Sequence, residues 1–154
     1  MKNIFDKFYL KSVLTILLLT GTMKIASSVG KAKILLYYDP IFGIQNKHLM
    51  IAVAVCELSL ACYLLLGRQV LAKHAMISVL AINFLLYHIG LIWMGAKTPC
   101  PCLGNPISWW PWVARNEHIL TWAIVLYLLF GGLFYAVSEL LLKTSMVKSP
   151  RTSL

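Results

Sequence analysis

Apolar residues in this chain gather into four long runs, not the short amphipathic patterns of a soluble fold. They span residues 12–30 (SVLTILLLTGTMKIASSVG), 49–66, 74–95 and 119–142. At about 1.5 Å per residue, each run is long enough for a helix crossing a hydrocarbon core of about 30 Å. Few polar residues interrupt them: Lys24 and several small polar residues in the first, Glu57 in the second, Asn83 and His88 in the third, and Glu139 near the end of the fourth. No internal repeat or low-complexity linker separates them. The pattern predicts an all-α integral membrane protein, a four-transmembrane-helix bundle forming a single membrane domain over residues 1–154. The first run has the basic lead-in of a signal peptide (Lys2, Lys7, Lys11) but no clean small-residue cleavage site, so it is read as a retained first helix.

Composition agrees. The 154 residues are 60% hydrophobic and only 12% charged, with a mean hydropathy of +0.78. A soluble domain carries roughly twice that charged fraction, about 25%. The formal net charge of +9 would point to a polyanionic partner in a soluble protein. Here the basic residues flank the apolar runs, and no basic stripe accompanies a recognition motif, so nucleic acid is excluded in favour of membrane topology.

The cationic residues also set an expected orientation. With the N-terminus inside, eight of the fourteen Lys and Arg residues fall on the cytoplasmic side and five on the outer side, Lys24 lying within a span. Both termini are therefore expected in the cytoplasm, in a bacterial inner membrane. The connection 96–118 is expected on the oxidising, extracytoplasmic face.

That connection carries the most distinctive chemistry, TPCPCLGNP at 98–106. Pro101 restricts its own φ and pushes Cys100 toward extended backbone, while Gly104 and Pro106 turn the chain back. A disulfide between Cys100 and Cys102 closes a very small ring, in which ideal geometry is hard to reach, and strained disulfides are oxidising and labile. So short a loop loses little entropy on closure, which argues for exchange over bracing. Three readings stay open: exchanging redox thiols, a soft-metal (copper) clip, and a proline-rich turn without chemistry. His118 is the one histidine nearby, short of the four ligands a structural zinc site uses. Lys97 lies close enough in sequence to favour a thiolate. Trp109, Trp110 and Trp112 place the connection at the headgroup level. A dithiol held there can meet both an extracytoplasmic protein thiol and a lipid-soluble quinone, the candidate electron acceptor; no other cofactor is indicated. Cys56 and Cys62, about 240° apart around one helix, cannot face each other and are read as small buried hydrophobes.

Ionisable residues inside a span are functional candidates to be assigned partners. Counting from the boundaries above, Lys24 and Glu57 both lie about 18 Å from the cytoplasmic side, on antiparallel neighbouring helices, and His88 at about 21 Å. A buried Lys24–Glu57 ion pair follows, with His88 close by. Its role is either to hold the bundle together or to relay protons. Asn83 and Tyr87 share a face and are expected to hydrogen-bond within the bundle. Gly131 and Gly132 are expected to permit close helix approach. Asp39, in an Asp-Pro turn, is read as a turn or capping residue.

Three pieces carry a family resemblance: TGTMKIAS with Gly21 and Lys24, DPIFGIQNKHLMIAVAVCELSLACYLL with Glu57, and CPCLG. In this order and spacing the sequence resembles the MauE/DoxX-like redox-associated membrane proteins, over most of residues 12–142. The resemblance implies a four-helix inner-membrane protein that supports disulfide formation in, or maturation of, an extracytoplasmic client. In the family that client is the methylamine dehydrogenase small subunit. The layout is also similar to quinone-linked four-helix thiol oxidoreductases. The chain departs in having Leu103 where relatives often carry Phe, and a loop C-x-C in place of a helical C-x-x-C. The functions expected are thiol–disulfide exchange by Cys100 and Cys102 with a client or thioredoxin-like protein, a non-enzymatic assembly subunit, or copper handling.

Overall fold

A computed structural model describes residues 2–29, 33–95 and 116–148. Four long helices dominate: α1 (Lys2–Ser28), α2 (Asn46–Leu66), α3 (Val70–Trp93) and α4 (Glu117–Lys148), with a 3₁₀ turn at Lys33–Leu36. Within them Ile4–Ser28, Asn46–Leu66, Val70–Trp93 and Ile119–Ser138 are long and apolar enough to cross a membrane. α1 begins well before residue 12. Its first turns carry Asp6, Lys7 and Lys11, which mask the helix in a hydropathy reading.

Each helix buries a narrow stripe spaced by three and four residues, the geometry that lets neighbouring helices interdigitate. In α1 the stripe is Tyr9, Val13, Leu17, Thr20, Lys24 and Ser28. In α2 it is Asn46, Met50, Ala54, Glu57, Leu60, Ala61 and Leu64. The opposite faces are equally apolar. Leu18, Leu19, Val55, Leu65, Val79, Leu86 and Phe130 are exposed, as surfaces against lipid must be.

The bundle is organised as two hairpins. α1 packs along α2 and α3 along α4, while the contact between the pairs is sparse. Small residues make the tight pairs possible. A Cβ on Gly21 would lie 3.0 Å from Leu58 Cγ, and one on Gly132 would lie 2.5 Å from Ser78 Oγ. Gly131 sits against the Tyr9 ring, so both glycines of α4 are packing positions, as expected. Tyr9 closes this end of the core, its hydroxyl donating to Leu128 O at 2.9 Å across from α1 to α4.

Between the 3₁₀ turn and α2 the chain folds into a compact loop. Asp39 N–H donates to Ile44 O (2.7 Å), Gly43 N–H donates to Asp39 O (2.8 Å), and Tyr38 bridges Gln45. Gly43 has φ +65°, the left-handed conformation this turn requires. The loop docks on the last turns of α3, with Ile41 against Gly90 and Phe42 stacked on Tyr87 at 6.1 Å.

Candidate functional site

Lys24 and Glu57 fall on the inward stripes of α1 and α2, so folding the two helices as a hairpin brings them together. Lys24 Nζ donates to Glu57 Oε1 at 2.7 Å, and the two side chains are 5% and 3% exposed. Thr20, one turn before Lys24, lies 3.1 Å from Glu57 Oε2 and 2.9 Å from Ile16 O, its one hydroxyl hydrogen shared between the two acceptors. The carboxylate thus has both oxygens engaged. Among the described residues the ammonium has one hydrogen-bond partner, and it lies 5.8 Å from the Phe84 ring centre on α3. A pair this well buried holds only because each charge meets the other directly and further hydrogen bonds complete it.

The pair forms part of the wall of a partly enclosed cavity of about 290 Å³ between the two hairpins. Its lining comes from the second halves of α1 and α3 and the first halves of α2 and α4, with Phe42 from the loop. These segments define one end of the bundle, the end from which α3 leaves and α4 returns. The walls are mostly apolar, among them Leu17, Met50, Val53, Leu80, Ile124 and Leu128.

His88 lines the same cavity, buried on α3. Its Nδ1 is 2.9 Å from Phe84 O. A carbonyl only accepts, so Nδ1 carries the hydrogen, and in the neutral ring Nε2 is left as an acceptor. Trp122 of α4 meets His88 edge-on at 5.8 Å. No hydrogen bond among the described residues joins His88 to the Lys24–Glu57 pair; they share a cavity and not a contact.

Asp39 is a turn residue, and also more. Its Oδ1 accepts the N–H groups of Ile41 and Phe42 at 2.9 and 2.8 Å, an Asx-type turn. Oδ2 accepts the Tyr87 hydroxyl at 2.5 Å, and the carboxylate is buried. This latches the loop over the cavity and holds Phe42 in its wall. Tyr87 therefore pairs with the loop, while Asn83 is exposed and donates back to Val79 O at 2.8 Å. Both residues border the cavity, Asn83 from its exposed rim, and their hydrogen bonds run back along α3 and to the loop. Cys56 and Cys62 are likewise exposed, not buried, because both lie off the stripe of α2; Cys56 also borders the cavity.

A second polar cluster, absent from the sequence reading, lies toward the other end. His74 is fully buried and its Nε2 is 2.7 Å from Asp6 Oδ1. Its ring packs with Tyr9 and Tyr135 at 5.8 and 5.1 Å, and its Nδ1 has no hydrogen-bond partner among the described residues. Only the early start of α1, which carries Asp6 to the level of His74, could have revealed it. Cys100, Cys102, Lys97 and the tryptophans 109, 110 and 112 lie outside the described residues.

Four apolar helices in two hairpins, with a buried ion pair beside a cavity, define a multi-pass membrane protein in contact with the bilayer. The family model for methylamine utilisation protein MauE matches residues 7–136, most of the chain, and the protein belongs to that family. No curated protein and no solved structure matches it.

Proposed function

We propose that this protein is a redox-associated membrane protein supporting thiol–disulfide exchange in the maturation of an extracytoplasmic partner, as methylamine utilisation would require. Cys100 and Cys102 are the exchanging pair. Attack by a Cys100 or Cys102 thiolate on a partner's disulfide, or the reverse, passes through a mixed disulfide and transfers two electrons without a metal. The topology that fits has both termini in the cytoplasm of a bacterial inner membrane and the C-x-C connection on the outer face.

One observation carries this reading. The cavity, with its Lys24–Glu57 pair and His88, occupies the same end of the bundle as both ends of the C-x-C connection, described up to Gly95 and from Asn116. An intramembrane charge pair and a histidine at that end support the reading, since a dithiol carried by the connection would need groups to balance its protons.

Thiol trapping tests it. The full chain in membranes is alkylated before and after reduction, alongside Cys100→Ser and Cys102→Ser variants. The expected result is a pair that cycles together, with a mixed disulfide accumulating in one single variant. A pair that stays reduced and can be replaced without effect on partner maturation would overturn the proposal and leave an assembly role.

A further inference from the structure

The cavity wall has an unbalanced set of hydrogen-bonding groups. Glu57 has both oxygens engaged and Tyr87 is committed to Asp39. Lys24 has three N–H donors, and among the described residues one of them is used, which leaves two in a space lined mainly by hydrocarbon. An unmade hydrogen bond by a buried charged donor leaves the desolvation cost of that group uncompensated. With its ring neutral, His88 adds an acceptor at Nε2. The pair as a whole is neutral, and a ligand carboxylate would meet the Glu57 carboxylate beside Lys24. The occupant that fits is uncharged, apolar over most of its surface, and carries acceptor oxygens for Lys24.

Access is lateral. Cys56 and Ala52 on α2 and Asn83 on α3 both line the cavity and are exposed, where contact between the hairpins is sparse. The opening faces the lipid-covered surface, so the ligand arrives dissolved in the bilayer.

From this geometry we infer that the cavity between the two hairpins is a quinone site, with Lys24 donating to a ring carbonyl and His88 Nε2 accepting from the hydroxyl formed on reduction. This rests on the proposed thiol chemistry for its electron source. The two S–H groups of Cys100 and Cys102 become one S–S bond and release two electrons and two protons. The two quinone carbonyls take up both and become the two hydroxyls of a quinol, which leaves by the lateral opening. The loop latched by Asp39 and Tyr87 keeps Phe42 in the wall of the site.

The test uses the full chain in nanodiscs, titrated with a decyl-substituted benzoquinone and, in a second arm, a short-chain naphthoquinone. Binding is read as tryptophan fluorescence quenching, with empty nanodiscs as the partition control. Trp122, against His88, is the expected reporter. Saturable binding of at least one quinone is expected. Lys24→Met should weaken it about tenfold or more, as expected for a lost charge-assisted hydrogen bond. Val53→Phe, which narrows the cavity and keeps both members of the ion pair, should do the same in a chain with parental thermal stability. No saturable binding in either arm, or binding indifferent to Val53→Phe, would overturn the site. The Cys100→Ser/Cys102→Ser double variant separates the two claims, because it should bind quinone and fail to reduce it. Saturable binding without reduction by the prereduced parent chain would leave the site standing and sink the thiol reading.

Discussion

Lys24 and Glu57, 33 residues apart on neighbouring antiparallel helices, meet at 2.7 Å with neither side chain more than 5% exposed. Each is the other's principal solvent. Removing one leaves an uncompensated charge in a low-dielectric setting, whereas removing both leaves only a packing change.

Glu57→Gln or Lys24→Met alone should therefore destabilise the protein by about 3–5 kcal/mol. The Lys24→Met/Glu57→Gln double variant should recover much of the loss. Unfolding in detergent, run as a double-mutant cycle, measures the coupling; additive single effects would show that the contact contributes little.

The Asp39–Tyr87 latch gives a local prediction. Tyr87→Phe should cost about 1–3 kcal/mol, since it removes one donor from a buried carboxylate. The loss should appear as faster amide exchange at Asp39 and Gly43, whose N–H groups close the loop. Exchange within α2 and α4 should change less.

His74 and Asp6 form a pair with an orphan nitrogen. Asp6→Ala should cost more than the Asp6→Ala/His74→Phe double variant, because phenylalanine keeps the ring packing with Tyr9 and Tyr135 and carries no unsatisfied group. Thermal unfolding of the three chains decides it.

Gly132→Ala places a methyl against Ser78 Oγ and the α3 backbone. Overpacking of this kind costs about 1–3 kcal/mol. Ser78→Gly should restore part of it by removing the oxygen, while the 3.3 Å approach to Ser78 N remains. Equal stability of Gly132→Ala and the parent would mean that α3 and α4 can separate freely.

Labelling should distinguish the two intramembrane cysteines. Both are exposed on α2, but only Cys56 borders the cavity. A small membrane-permeant maleimide should modify both, and a bulky occupant of the cavity should slow Cys56 alone. Equal protection of Cys62 would place the occupant elsewhere.

Much of this architecture was legible along the chain. Hydropathy alone marks four apolar segments, because a helix in lipid must satisfy its backbone internally and cover itself with hydrocarbon. Depth is a linear count, so Lys24 and Glu57 could be matched at about 1.5 Å per residue without knowing any contact. Rotation about the helix axis is a different quantity. In a soluble helix the polar face reveals it; here lipid-facing and buried residues are equally apolar, and the pattern is silent. Only the packed bundle therefore decided that Cys62 faces outward, that Cys56 and Asn83 sit exposed at the rim of the cavity, that Tyr87 reaches Asp39 of the loop, and that His74 meets Asp6. The cavity belongs to the same category. It exists because two tightly packed hairpins meet loosely, a relation among four helices that no single segment encodes.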